Sequence, residues 1–165
     1  MSADYGDIIA VQGVGWLSDH IRSLTGNGPV SHVGIVTATE PFIQVAQALD
    51  RVRVLSIEEM LDDATIAKMW LLKSPLTVEQ RNVACRNALK HVGDSYAYWN
   101  IMMQAADSEF GTEWFTEHLA ETKREICSEV TMMVEPSIGL IPKDATPNDI
   151  WGWWQTEHWP IVVLK

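Results

Sequence analysis

The 165-residue sequence predicts an α+β domain, a small antiparallel β-sheet or barrel packed against helices. Three observations carry that prediction. The first half holds short β-rich runs bounded by Gly, Asn, Asp and Pro. The second half changes to helical spacing of its apolar residues. Capping-box tetrads, SIEE, TVEQ and TPND, mark helix starts, each with a hydroxyl and a carboxylate or amide three residues apart.

Taken in order, GDIIAVQ (6–12) alternates as a strand, and LSDHIRSLTGNGP (17–29) reads as a short helix that runs into a Gly/Asn/Pro loop. VSHVGIVTA, FIQVAQA and RVRVLS follow as three strands of an antiparallel meander, separated by TEP (39–41) and by the Leu49-Asp50 pair. Ser56 caps a short helix through Leu61, and IAKMWLLK (66–73) returns to strand character. Thr77 caps a longer helix on which Cys85, Ala88, Leu89 and Val92 share a face, closed by Gly93. Helical spacing resumes from Tyr96 to about Asp107. Residues 108–124 are polar and amphipathic, an insertion or lid, and EICSEVTMMVE (125–135) is a further helix. Thr146, with Pro147 at the first helical position, starts a last helix through IWGWW, and WPIVVLK ends the chain as a strand. No repeat or linker divides residues 1–165, which read as a single domain.

Composition narrows the function classes. The chain is 47% hydrophobic and 21% charged, ordinary for a packed domain and too apolar for a disordered one. A formal net charge of -10 opposes binding to phosphate backbones and anionic membranes, so no nucleic-acid partner is expected. There is neither a signal-peptide pattern nor a run long enough for a membrane span, which implies a cytoplasmic location and no stable membrane insertion. Two cysteines are too few for a disulfide scaffold, and a reduced compartment leaves each needing its own role.

Cys127 opens a helix, where unpaired amides and the helix dipole favour a thiolate. The amides of Cys127 and Ser128 are then placed to hold an oxyanion. The plainer reading of such a residue is a buried structural cysteine. Cys85, in mid-helix on the apolar face, is assigned to the core. His32 starts a strand on which His32, Gly34 and Val36 share a face, with Gly34 leaving room for an approaching group. A thiol needs a base and an imidazole needs a partner that fixes its tautomer. Gln44, on the next strand, is the candidate partner, although it reads equally well as a half-exposed polar residue. The remaining four of five histidines show no metal-ligand spacing, so neither a metal nor a cofactor is expected.

The ordered motifs GDIIAVQ, SHVGIV, FIQVAQA with RVRVLSIEEML, GDSYAYWNIM, ICSEV and TPNDIW resemble the circularly permuted papain-like enzymes of the NlpC superfamily, the YiiX-like group. The resemblance spans residues 6–150. It implies a permuted papain-like fold with the nucleophile at a helix N-terminus, Cys127 as nucleophile, His32 as general base and Gln44 as the third, orienting residue. Family members often carry Glu or His at that third position, so Gln44 is a departure. Tyr98, with Tyr96 as the alternative, corresponds to the family's tyrosine segment. Tyr98, Ser31 and Ser128 are the expected substrate-binding residues. The implied activity is thiol-dependent hydrolysis of an amide in a peptide-like or acylated substrate, with cell-wall peptide linkages one family-typical class.

Two other readings compete. Relatives similar to lecithin:retinol acyltransferase share the permuted layout and act on lipids, but usually with a second histidine and a membrane anchor. Alternatively the scaffold is a binding protein whose Trp151, Trp153, Trp154 and Trp159 form an interaction surface, against which stands their packing under the last strand. A phage-associated or otherwise delivered protein is a further context. The sequence leaves the oligomeric state open.

Overall fold

The computed structural model describes residues 2–48, 51–93 and 146–165. Its strands are β1 (Ile8–Gly13), β2 (His32–Ala38), β3 (Gln44–Ala48), β4 (Val52–Ser56), β5 (Ile66–Leu72) and β6 (Ile161–Val163). Its helices are α1 (Trp16–Leu24), α2 (Ile57–Asp62), α3 (Val78–Lys90) and α4 (Pro147–Thr156). The strands form one sheet in the order β4-β3-β2-β1-β5-β6, with every neighbouring pair antiparallel. The expected meander is therefore one half of a larger sheet. β5 and β6 continue it on the other side of β1.

Strand alternation sends apolar side chains to both faces, and both are covered. On one face Ile8, Ala10, Val33, Ile35, Ala46 and Leu72 pack with Ala84, Cys85 and Ala88 of α3 and with Ile150 and Trp154 of α4. On the other Ile9, Val11, Val36, Val45, Met69 and Leu71 pack with Ile57 and Met60 of α2. This two-sided burial explains why IIAV and IVT read as nearly continuous apolar runs. The predicted helix starts form as capping boxes at Ser56, Thr77 and Thr146, each hydroxyl accepting the amide three residues on. Pro147 occupies the first turn of α4, where its missing N–H costs nothing.

The C-terminal tryptophans turn inward. Trp154 is 2% exposed and donates its indole N–H to the Lys73 carbonyl at 3.1 Å. Trp151 lies 4.8 Å, centroid to centroid, from Trp70 of β5, and Trp153, Trp154 and Trp159 meet edge to face. Such pairs add about 0.5–1.5 kcal/mol each beyond area burial. The cluster welds α4 and the residues leading into β6 to the sheet, the packing role set against the interaction-surface reading.

The Gly-Asp pair of the first strand motif is an anchor. Gly6 has φ +82°, and a Cβ there would sit 2.8 Å from Arg81 Cγ, so only glycine lets the arginine pass. Beside it Asp7 is fully buried. Its Oδ1 accepts from the Ser74 amide at 2.9 Å and Arg81 Nη1 at 3.0 Å, and its Oδ2 from Lys73 Nζ at 2.7 Å and the Asp4 amide at 2.9 Å.

No helix among the described residues is long and apolar enough to cross a membrane. The segment at 108–124 and the helix expected at 125–135 lie outside the described residues.

Candidate active site

β1 and β2 pair so that His32 stands opposite Val11 at the start of β2. The strand entry is held by the residue before it. The Ser31 amide donates to Val11 O at 2.9 Å, and the Ser31 hydroxyl accepts the Gly13 amide at 3.0 Å while donating to Val11 O at 3.3 Å. Ser31 is 6% exposed. Its hydroxyl thus holds the β1 backbone. A polar residue at a buried strand entry must satisfy its own hydrogen bonds locally.

His32 is half-buried, and its Nε2 lies 2.9 Å from Oε1 of Gln47. An amide oxygen only accepts, so with Oε1 facing the ring the contact calls for the proton on Nε2, which leaves Nδ1 as the unprotonated nitrogen of the neutral ring. Burial pushes the imidazole pKa down to about 4, because the charged ring loses hydration, while the hydrogen bond to Gln47 acts in the opposite direction. At neutral pH the ring is uncharged, the form in which a general base can take a proton.

That contact corrects the expected partner. Gln44 is exposed at the start of β3 and pairs with Ala38, and its carbonyl, not its side chain, accepts from the Thr37 hydroxyl at 3.4 Å. Six positions along β2 separate Ala38 from His32, roughly 20 Å at about 3.3 Å per residue. The register explains the exchange. Ala38 faces Gln44, but Val36 faces Val45, so Thr37 is an extra residue that breaks the pairing. Beyond that bulge the even-numbered positions of β2 share a face with the odd-numbered positions of β3, which brings Gln47 opposite Gly34 and diagonal to His32. Gln47 is 3% exposed, as a residue locked into such a contact should be.

Gly34 takes a different role from the open gap expected beside His32. A Cβ there would meet Val45 Cγ1 at 2.8 Å, the Ala46 carbonyl oxygen at 2.9 Å and Gln47 Cβ at 3.2 Å. The missing side chain is space already used by β3. It lets the strand approach closely enough for Gln47 to reach the histidine.

Cys85 behaves as assigned. It is buried, its thiol donates to Val36 O at 3.3 Å, and desolvation pushes its pKa up to about 11. At neutral pH it stays a thiol and is a poor nucleophile. Cys127, Ser128, Tyr96 and Tyr98 lie outside the described residues.

The chain superposes on the crystal structure of the metalloprotein yiiX from Escherichia coli O157:H7 (DUF1105) with a TM-score of 0.55 and 15% identity, covering 98% of this chain and 96% of that one. The fold is YiiX-like. No family model matches the sequence, and no curated protein does. The name of that neighbour specifies a metal. Among the described residues no three His, Cys, Asp or Glu side chains are gathered to hold one.

The displaced pKa of His32 has a measurable consequence. Between about 6.5 and about 4 the unfolded chain binds a proton that the folded ring refuses, so folding stability falls as pH drops through that window. At about 1.4 kcal/mol per pKa unit the loss reaches at most roughly 3 kcal/mol. Urea unfolding of the wild type and His32→Gln checks this: the variant's midpoint should decline less between pH 6.5 and pH 5. Parallel declines would show that the folded ring titrates normally.

Proposed function

We propose that the chain is a cysteine-dependent hydrolase that cleaves an amide bond through an acyl-enzyme. Cys127 is the nucleophile, His32 the general base, and Gln47 the residue that orients it. The observation that carries the reading is the His32–Gln47 contact of 2.9 Å, which prepares a neutral imidazole with a free Nδ1 in a YiiX-like fold.

In this mechanism Nδ1 of His32 takes the Cys127 thiol proton and Sγ attacks the acyl carbon. The carbonyl π electrons move to oxygen, and the amides of Cys127 and Ser128 stabilise that oxyanion. When the tetrahedral intermediate collapses, the C–N bond breaks and the imidazolium gives its proton to the departing amine. Water, deprotonated by the same nitrogen, then cleaves the thioester and restores the thiol. Throughout, Nε2–H stays on the Gln47 oxygen, so the ring turns over protons at one nitrogen alone. The amide is neutral and steers the ring without the full stabilisation that a carboxylate would give the imidazolium. Tyr98 lines the substrate side, and a cell-wall peptide linkage is the favoured substrate class.

Iodoacetamide labelling provides the test, with Cys85 a slow background because burial holds it as a thiol. Cys127 should react at neutral pH faster than a free thiol, His32→Ala should remove that advantage, and Cys127→Ala should abolish turnover of a model peptide amide while leaving the protein folded. A Cys127 rate no greater than that of a free thiol, unchanged in His32→Ala, would defeat the reading.

A further inference from the structure

The side chain of Asn148 connects the two ends of the chain at the approach to His32. It sits in the first turn of α4, is 9% exposed, and both of its polar atoms are used. Its Oδ1 accepts the Val30 amide at 2.9 Å, and its Nδ2 donates to Thr25 Oγ1 at 2.7 Å. Thr25 Oγ1 in turn donates to Ile21 O at 2.8 Å, at the end of α1. A single amide thus ties the exit of α1, the loop and the entry of β2 to a helix more than 110 residues away in sequence.

Three features make this more than a surface contact. Val30 is fully buried and lies two residues before His32. Gly28 is moulded to the amide: a Cβ there would fall 2.1 Å from Asn148 Oδ1, so no side chain fits between loop and helix. The helix bearing Asn148 is itself fixed to β5, through Trp151 on Trp70 and through the Trp154 indole on the Lys73 carbonyl. Position is therefore handed from the tryptophan-anchored helix to Asn148, then to Val30. From the opposite side β1 holds Ser31 through Val11 and Gly13. His32 is the next residue, and in this position its Nε2 meets Gln47.

We propose that Asn148 is a positioning residue for His32, holding the entry of β2 so that the imidazole meets Gln47 in a single tautomer. The role rests on the hydrolase reading only in its consequence for Cys127, since the hold on the ring exists whatever the ring does. It also gives the TPND motif a task beyond capping: Thr146 and Asp149 close the capping box, and Asn148, one of the two residues between them, reaches across to the site.

The test combines imidazole ¹⁵N NMR with Cys127 alkylation in the full-length chain, with the melting temperature of each variant recorded. The wild type should show His32 as the Nε2–H tautomer at pH 7. Asn148→Ala should show mixed tautomers and a labelling rate lower by about tenfold, since displacements near 1 Å in such sites cost up to about a hundredfold. Thr25→Val removes the Nδ2 acceptor together with the Thr25 bond to Ile21 O, leaves the Oδ1–Val30 bond in place, and should cost about threefold, with a smaller change in tautomer. If Asn148→Ala does not fold, Thr25→Val decides by the same readouts. A folded Asn148→Ala with a lowered melting temperature but an unchanged tautomer would reduce Asn148 to a structural clamp and overturn the proposal. Should His32→Ala leave Cys127 labelling untouched, the hydrolase reading falls, and the tautomer spectra still decide the role of Asn148.

Discussion

Gln47→Ala is expected to lower turnover of a model peptide amide by about a hundredfold, while Gln44→Ala leaves it within about twofold. The physical reason is the single contact from Gln47 Oε1 to His32 Nε2 at 2.9 Å. Without that acceptor the ring distributes its proton between two nitrogens and rotates about χ2, so the fraction with a free Nδ1 aimed at a thiol falls. Gln44 has no such contact, lies at the start of β3 opposite the far end of β2, and is exposed. Steady-state kinetics on the two variants, with circular dichroism to confirm folding, makes the comparison direct. Equal losses in both, or a loss only in Gln44→Ala, would remove Gln47 from the mechanism. Gln47→Glu is the informative companion: a carboxylate at the same point favours the imidazolium, so the His32 pKa should rise from its displaced value near 4.

Asp7→Ala should destabilise the fold by about 3–5 kcal/mol, the range for breaking one side of a buried ion pair. The side chain of Asp7 is fully buried between Lys73 and Arg81 and also receives two backbone amides. Removing it strands the Arg81 guanidinium, whose side chain is only 12% exposed. Arg81 would keep its bonds to the carbonyls of Tyr5, Ser74 and Leu76, which hold the N-terminal segment and the β5–α3 connection together. A charge held by carbonyls alone is poorly compensated. The midpoint of thermal unfolding should fall on the order of 10 °C for a chain of this size. Asp7→Asn, which preserves shape and one acceptor, should cost less. A loss under about 1 kcal/mol in Asp7→Ala would mean that solvent reaches the network.

The elements themselves were legible because each is announced locally. Ser56, Thr77 and Thr146 cap helices whose partner three residues later is visible in the sequence, and a hydroxyl that can satisfy an orphan amide needs no tertiary help. The face of His32 followed from strict alternation along β2, and the core place of Cys85 from helical spacing. The partner of His32 was not legible. Choosing between Gln44 and Gln47 requires the register of β2 against β3, and Thr37, the residue whose extra place shifts it, looks like any other strand threonine. Gly34 misled for the same reason: a glycine beside a histidine signals space, but not whether a substrate or a neighbouring strand fills it.

By itself, then, the amino-acid sequence determined the α+β class, the helix starts, the buried strands and the candidacy of His32, because capping and periodicity act over a few residues. Only the tertiary structure decided that Gln47 holds the imidazole, that Ser31 is spent on β1, and that Asn148 reaches the entry of β2. Those are contacts between segments distant in the chain. A one-residue bulge is enough to exchange which glutamine a histidine meets, and no local pattern encodes it.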